Sequence, residues 1–313
     1  MRVATNSYTD SMLNQFNLLK AQQTSLQSQV STGLRVQSPS DDPAAMENTL
    51  ADLANSSTQT QYGSNITTLQ NRATSIYNVL ESLQTISSRA GEIATSAGSA
   101  TSSQSDLDNY ADEVNQLIQQ VVSAANTQDS TGQYLFGGTA SDSAPFTVTT
   151  DTNGDVTGVT YNGNSSVNQA QIGDGLAATV DIPGVNNGAT GARGLLTDSQ
   201  SGADFINHLI QLRDDLTSGN TTAITNTDSA NLQNDENNIT YQVANNGVVQ
   251  NQLTAAATFA TNRSQTLSTD ISNQSSADLV NTMVQLNQAQ TAYQAALQSG
   301  AQIMQLSLLN YIQ

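Results

Sequence analysis

The chain's only histidine, His208, lies in a run whose apolar residues Phe205, Leu209, Leu212 and Leu216 keep helical spacing. An imidazole can act as a general base or a metal ligand, but a triad or a zinc site needs partners of defined chemistry. With no cysteine and no second histidine in the sequence, disulfides, thiol catalysis and the usual zinc ligand sets are excluded, and His208 reads as structural. Asp41 and Asp42 could form a carboxylate pair for acid–base work. Pro43 follows them, so the simpler reading is Asp42 as the cap of a helix that starts at Pro43, where a missing N–H costs nothing. Asp151, Asn153, Gly154 and Asp155 loosely match the start of a calcium loop, but the glutamate required at its twelfth position is Asn162 here. Asn153-Gly154 is better read as a type I′ hairpin turn between Phe146-Thr-Val-Thr-Thr150 and Val156–Tyr161. No local pair of carboxylates suits a secreted glycan hydrolase. No catalytic, metal-binding or cofactor-binding residue is assigned, and no cofactor is expected.

The elements that carry these residues are mostly helices. A stripe of Met12, Phe16, Leu19, Leu26 and Val30 stops near Gly33, a natural helix end. After Pro43 come Met46, Leu50 and Leu53, a polar stretch, and then Ile66, Leu69, Ala73, Ile76, Leu80, Leu83 and Ala90, broken near Gly98. Leu107, Tyr110, Val114, Leu117 and Val121 predict another helix. From Gly132 to Gly202 the texture changes, with thirteen of the twenty glycines, the hairpin pattern, and an alternation of Leu176, Ala178, Val180 and Ile182 that suits a strand. Helical spacing returns at Phe205 and continues through Leu232, Ile239, Leu253, Ala260 and Leu267; Ser275 to Asp278 reads as a capping box before the last helix. The expected fold is mainly α, an elongated helical bundle with the N- and C-terminal helices paired and a small β-rich inserted domain. The expected division is 1–37 with 279–313 as terminal helices forming an assembly core, 38–138 with 201–278 as helical bundle, and 139–200 as variable insert. The heptads of 46–125 and 205–271 read as ordinary core.

Charge is distributed unevenly. The net charge is −18, yet the first 35 residues sum to +2 and the last 35 contain no Asp, Glu, Lys or Arg at all. The acidic body excludes nucleic acid as a natural partner and offers no basic patch to anionic lipid. The C-terminal segment is too often interrupted by Gln, Asn and Ser to span a bilayer, and Met1–Leu19 has no apolar run of signal-peptide type. Still, the last segment keeps a heptad seam of Leu279, Met283, Leu286, Tyr293, Leu297, Met304 and Tyr311. A helix facing water carries charge on its outer side; these two ends do not, so both are expected to be packed on several sides by other molecules. Each large apolar residue buried there would contribute about 1.5–3 kcal/mol, and neither helix is expected to be stable by itself.

Three segments carry a family resemblance. Ser31-Thr-Gly-Leu-Arg-Val-Gln-Ser-Pro-Ser-Asp-Asp-Pro43 is similar to the segment after the first helix of flagellins, with the Asp-Asp-Pro ending of hook-associated members. Tyr134-Leu-Phe-Gly-Gly-Thr139 followed by Ala144-Pro145-Phe146, and the tail Gln290-Thr-Ala-Tyr-Gln-Ala-Ala-Leu-Gln-Ser-Gly300 through Leu308-Leu309-Asn-Tyr311, resemble the hook–filament junction branch of the flagellin superfamily. The resemblance implies a structural, non-enzymatic subunit forming a short ring at the end of the hook, extracellular on the bacterial flagellum and exported by the flagellar type III route without a cleavable signal. It implies as partners further copies of itself, a neighbouring hook-associated protein on the hook side, flagellin on the filament side, and a cytoplasmic export chaperone, with no nucleic acid and no membrane. On that basis the expected assembly residues are Met12, Phe16, Leu19, Leu26, Val30, Arg35 and the seven of the C-terminal seam, with Leu286, Tyr293, Leu297 and Met304 as the chaperone's contacts. Arg35 is expected to make an ion pair within or between subunits. The nearest alternative is a filament-forming flagellin, separated by Asp42-Pro43 and the Tyr134–Phe146 segment; an adhesive role for the insert is a third.

Overall fold

The computed structural model describes residues 2–99 and 103–312, with side chains from Asp10 to Ser99 and from Ser103 to Gln302. Helix α1 (Arg2–Thr32) is followed by α2 (Pro43–Ala97) and α3 (Gln104–Ala125). Seven short strands come next: β1 (Phe146–Thr150), β2 (Val156–Tyr161), β3 (Ala170–Gly173), β4 (Leu176–Ala178), β5 (Val185–Asn186), β6 (Thr197–Asp198) and β7 (Ala203–Asp204). The chain then returns to helix: α4 (Phe205–Ser218), one turn α5 (Thr221–Ala223), a π-helical turn (Ile224–Asp228), α6 (Ser229–Ser275) and α7 (Leu279–Ile312). Two compact units result, one from the chain's two ends up to Gln59 and from Asn262, the other from Thr60–Thr261. Among the described residues no helix is long and apolar enough to cross a membrane.

In the Thr60–Thr261 unit the helices present the apolar faces their spacing predicts. Ile66, Ala73, Ile76, Leu80 and Leu83 of α2, Val114, Ile118 and Val121 of α3, Leu209, Leu212 and Leu216 of α4, and Leu232, Ile239 and Leu253 of α6 are buried in one cluster. Helix α3 starts with a capping box in which Ser103 Oγ accepts from Asp106 N and the Asp106 carboxylate accepts from Ser103 N. Leu50 and Leu53, read as core from their spacing, are exposed instead; Thr49 and Gln59 are the buried positions of that stretch of α2. The apolar core therefore begins at Ile66, where the polar stretch of α2 gives way to closely spaced aliphatic residues.

The strands form three small sheets: β1–β2 and β3–β4 antiparallel, and β5–β6–β7 with β5 and β6 parallel. Phe146, Val156, Ile172 and Ala178 of the strands, with Val180 and Ile182 in the irregular segment after β4, where the strand expected from their alternation has already ended, join the same core as α3 and α4. Asn126, just past α3, both donates to Phe146 O (2.8 Å) and accepts from Phe146 N (3.0 Å), which fixes the entry to β1. The β1–β2 turn is not type I′, because that needs positive φ at both central residues and Asn153, like every other non-glycine among the described residues, lacks it. Gly154 alone is left-handed (φ 93), Gly154 N donates to Asp151 O, and Asp155 O accepts from Asp151 N, the pattern of a longer loop closed by a left-handed glycine.

Buried charge in this unit is placed at joints. Arg72 of α2 donates to Asp129 (2.8 Å) and Asp181 (2.7 Å) and reaches the carbonyls of Tyr134 and Leu135. Arg213 of α4 donates to the Val156 carbonyl at 2.6 Å and to Asp214 at 2.7 Å. Asp228, ending the π-helical turn, is 1% exposed and neither of its carboxylate oxygens has a hydrogen-bond partner. Burial first, and then the neighbouring Asp215, push its pKa up to about 6. Two ionised carboxylates offer each other no donor, so below about pH 6 Asp228 keeps a proton that it can share with Asp215.

On the helix surfaces, many threonine and serine hydroxyls donate back to the carbonyl four residues earlier, as Thr67 to Gly63 (2.9 Å), Thr85 to Glu81 (3.0 Å), Thr258 to Thr254 (3.0 Å) and Thr291 to Asn287 (2.9 Å).

Candidate functional site: the paired terminal helices

Helices α1 and α7 lie against each other within the chain. The α1 seam is the one its large apolar residues predict: Met12, Phe16, Leu19 and Val30 are half-buried and Leu26 is buried. On α7 the inward row is Thr282, Leu286, Ala289, Tyr293, Ala296 and Gly300. It shares Leu286 and Tyr293 with the seam expected from the sequence, but Leu279, Met283 and Leu297 fall on the exposed side. Met304 and Tyr311 lie outside the residues whose side chains are described. Phe16 and Tyr293 meet edge to face, with ring centroids 6.4 Å apart, a favoured aromatic arrangement. Gly300 allows the closest approach: a Cβ there would stand 2.8 Å from Met12 Cε and 3.0 Å from Phe16 Cζ. Thr282, Ala289, Ala296 and Gly300 face inward because small residues let two long helices come near, while Leu279, Met283 and Leu297 are left outside.

The segment after α1 clamps the junction of α6 and α7. Gly33 ends α1 with φ 72, and its carbonyl accepts from Ala277 N (2.8 Å). Arg35 N donates to Ser275 O at 2.7 Å, and the Arg35 guanidinium donates to Gln274 O (2.9 Å) and to Asp42 (3.0 Å). The ion pair expected of Arg35 is thus made within the chain. Asp42 also accepts from Ala45 N (3.1 Å), the cap expected before Pro43, and that backbone bond, then Arg35, hold its carboxyl below the usual value. Asp41 accepts from Gln37 N, Ser38 N and Ser38 Oγ, which lower its pKa likewise. The two aspartates are structural acceptors. Ser275 is not the cap of α7: it ends α6, and Asp278 caps α7 by accepting from Val280 N and Asn281 N, both 3.1 Å.

His208 stands elsewhere, on α4, with Nδ1 2.8 Å from Asp235 of α6. The other Asp235 oxygen accepts from Asp204 N (2.8 Å), so one buried carboxylate seats the start of α4. Burial of the imidazole opposes its charge, but Asp235, with Asp204 and Asp228 nearby, raises its pKa overall. The sequence reading missed this partner because Asp235 is 27 residues away and on another helix.

What the paired helices offer is a surface. Beside the inward seam, α1 exposes Leu13 and Leu18, the latter at 68%, and α7 exposes Leu279, Val280 (76%), Met283, Val284 and Leu297. Residues 3–141 match the bacterial flagellin N-terminal helical region. Over 169 residues the chain is 28% identical to flagellar hook-associated protein 3 of Salmonella typhimurium, an alignment that takes in 54% of this chain and 51% of that protein. The resemblance is to flagellar hook-associated protein 3. The protein of that name from Escherichia coli is 32% identical over 118 residues, covering 38% of this chain and 37% of the relative. The matched part thus spans about half the length, or less, of these hook-associated proteins. A Vibrio parahaemolyticus structure described as a flagellar hook-associated protein shares the fold, with a TM-score of 0.63 at 21% identity, over 75% of this chain and 100% of that one.

Proposed function

We propose that this chain is a structural subunit of the bacterial flagellum that joins the hook to the flagellin filament by self-assembly, without catalysing a reaction. The observation that carries the reading is the set of large apolar side chains left exposed outside the α1–α7 pair on uncharged helix, Leu13, Leu18, Leu279, Val280, Met283, Val284 and Leu297. Apolar side chains exposed in such number mark a surface that another protein covers. The near-neutral ends also let copies approach where the acidic remainder would repel. The partners that follow are further copies in a ring, a hook-associated neighbour on one side, flagellin on the other, and, before export through the flagellar channel, a chaperone on α7 around Leu286, Tyr293, Leu297 and Met304. In the same reading the terminal helices (1–37 and 279–313) form the assembly core, carried by the bundle (38–138 and 201–278), and 139–200 is the variable part.

Deleting the gene tests it. Cells should then make hooks without filaments and shed flagellin into the medium. Normal filaments on normal hooks would overturn the proposal. A protein present in filament-like abundance would instead favour the flagellin reading.

A further inference from the structure

Helix α6 contains an uncharged stretch of its own. From Asn237 to Asn262 it has no Asp, Glu, Lys or Arg, in a chain of net charge −18. One side of that stretch faces the core through Ile239 and Leu253, and the other exposes Tyr241, Val248 (64%) and Phe259 (66%). These three are seven and eighteen residues apart along the helix; at 3.6 residues per turn that spacing sets them on one line, since eighteen residues make about five whole turns. Beside the line, the Arg193 guanidinium lies 4.1 Å from the centre of the Tyr241 ring. Arg193 makes no ion pair with a carboxylate among the described residues, whereas Arg72, Arg89 and Arg213 of the same unit all do. The strip is therefore uncharged, carries three large exposed apolar side chains, and is edged by one cation that has no carboxylate partner among the described residues.

The same unit carries the opposite chemistry on other elements. Asp112 of α3, Asp151 and Asp155 of the hairpin turn, and Asp214 of α4 line one open groove, in which the only cation, Arg213, is already bonded to Asp214 and to the Val156 carbonyl. We propose that the α6 strip of one copy seats against this acidic groove of the next copy, with Arg193 directed to its aspartates. The inference rests on the self-assembly reading above and names the contact between copies. Two different patches meeting head to tail generate a ring or helix of copies, as a junction layer requires, whereas a patch that pairs with itself stops at a dimer. Charge complementarity selects the partner: a neutral strip edged by a cation is repelled by nothing on an acidic neighbour, and the groove lacks a free cation of its own.

The absence of cysteine makes the test clean. A deletion strain is complemented with Val248→Cys, Asp112→Cys, or both together; flagella are sheared, oxidised and run without reductant. Both substituted residues are exposed, so the fold is undisturbed. The double variant should give a covalent ladder extending past the dimer, and neither single variant should crosslink. Adding Arg193→Glu to the pair should cut the ladder about fivefold or more, because it places like charges together. Chain present in the sheared flagella without a ladder overturns the contact while leaving the junction reading intact. Dimers from Val248→Cys alone overturn it too, since the strip would then pair with itself. Flagella that lack the unaltered chain altogether refute the junction reading, and this contact with it.

Discussion

Replacing Asp228 by asparagine should stabilise the protein near neutrality and do almost nothing in acid. The carboxyl is 1% exposed, unbonded, and its pKa stands at about 6 against an ordinary 3.8. Below about pH 4 folded and unfolded chains both hold the proton, so the group is neutral in each and no penalty arises. Between 3.8 and 6 the folded chain keeps a proton that the unfolded chain releases, so stability falls as pH rises. The shift corresponds to about 3 kcal/mol, lost in full above the folded pKa. His208, whose pKa is also raised, acts in the same direction, since its pairing with Asp235 weakens as the imidazole loses its proton. Asp228→Asn removes the first contribution and leaves the His208–Asp235 pairing that carries most of the second, and its amide can donate to Asp215. Urea unfolding followed by far-ultraviolet circular dichroism at about pH 4 and about pH 8 should show a variant advantage of roughly 3 kcal/mol at the higher pH only. An equal effect at both pH values, or a carbon-13 titration of the Asp228 carboxyl centred near 4, would refute the argument.

Further expectations follow from individual contacts. Arg72→Met should destabilise by about 3–5 kcal/mol in thermal or chemical unfolding, because it strands the buried carboxylates Asp129 and Asp181; Arg35→Ala, at an exposed pair, should change stability by about 1 kcal/mol or less. Gly300→Val should push α1 from α7, read as faster hydrogen exchange in both helices, since the added atoms meet Met12 and Phe16. Leu286→Asp should disturb the monomer's α1–α7 pairing, whereas Leu297→Asp should leave its melting temperature unchanged and abolish hook incorporation, with exposed Gln298→Asp as the matched control. Excising 140–200 should broaden or abolish cooperative unfolding, because Val156, Ile172 and Val180 share the core of α3 and α4.

How legible these features were depended on side-chain size and sequence separation. The α1 seam could be read directly, because its inward positions carry the large residues Met12, Phe16, Leu19 and Leu26. On α7 the two rows share Leu286 and Tyr293, and the inward row fills its gaps with Thr282, Ala289, Ala296 and Gly300. Periodicity weighs hydrophobic bulk, while close helix pairing prefers small residues, so the expected assembly seam runs Leu279, Met283 and Leu297 together with Leu286 and Tyr293, and the structure parts the positions facing α1 from those on the outer surface. Leu50 and Leu53 misled for a related reason: their spacing is helical, but Thr49 and Gln59 occupy the inner side. Caps at Gly33, Asp42 and Ser103 are local and follow from residue type. The buried joints of Arg72, Arg213, Asp228 and Asp235 join residues far apart in sequence, and no local pattern announces them. One signal was present: in so acidic a chain, few cations serve many carboxylates, and those at 72 and 213 flank apolar core positions.

The hydroxyls that turn back onto their own helices have a consequence for the medium in which the protein works. An outer helical surface built from charges is held partly by ion pairs, and dissolved salt weakens those within a Debye length of about 8–10 Å. Here Thr67, Thr85, Thr258, Thr291 and their like satisfy themselves with neutral bonds inside a single helix. Ions have little to screen in such a bond, and water has no unmet donor to claim. These neutral bonds should therefore persist from nearly fresh water to brine, a tolerance obtained from uncharged polarity and independent of how the helices are packed.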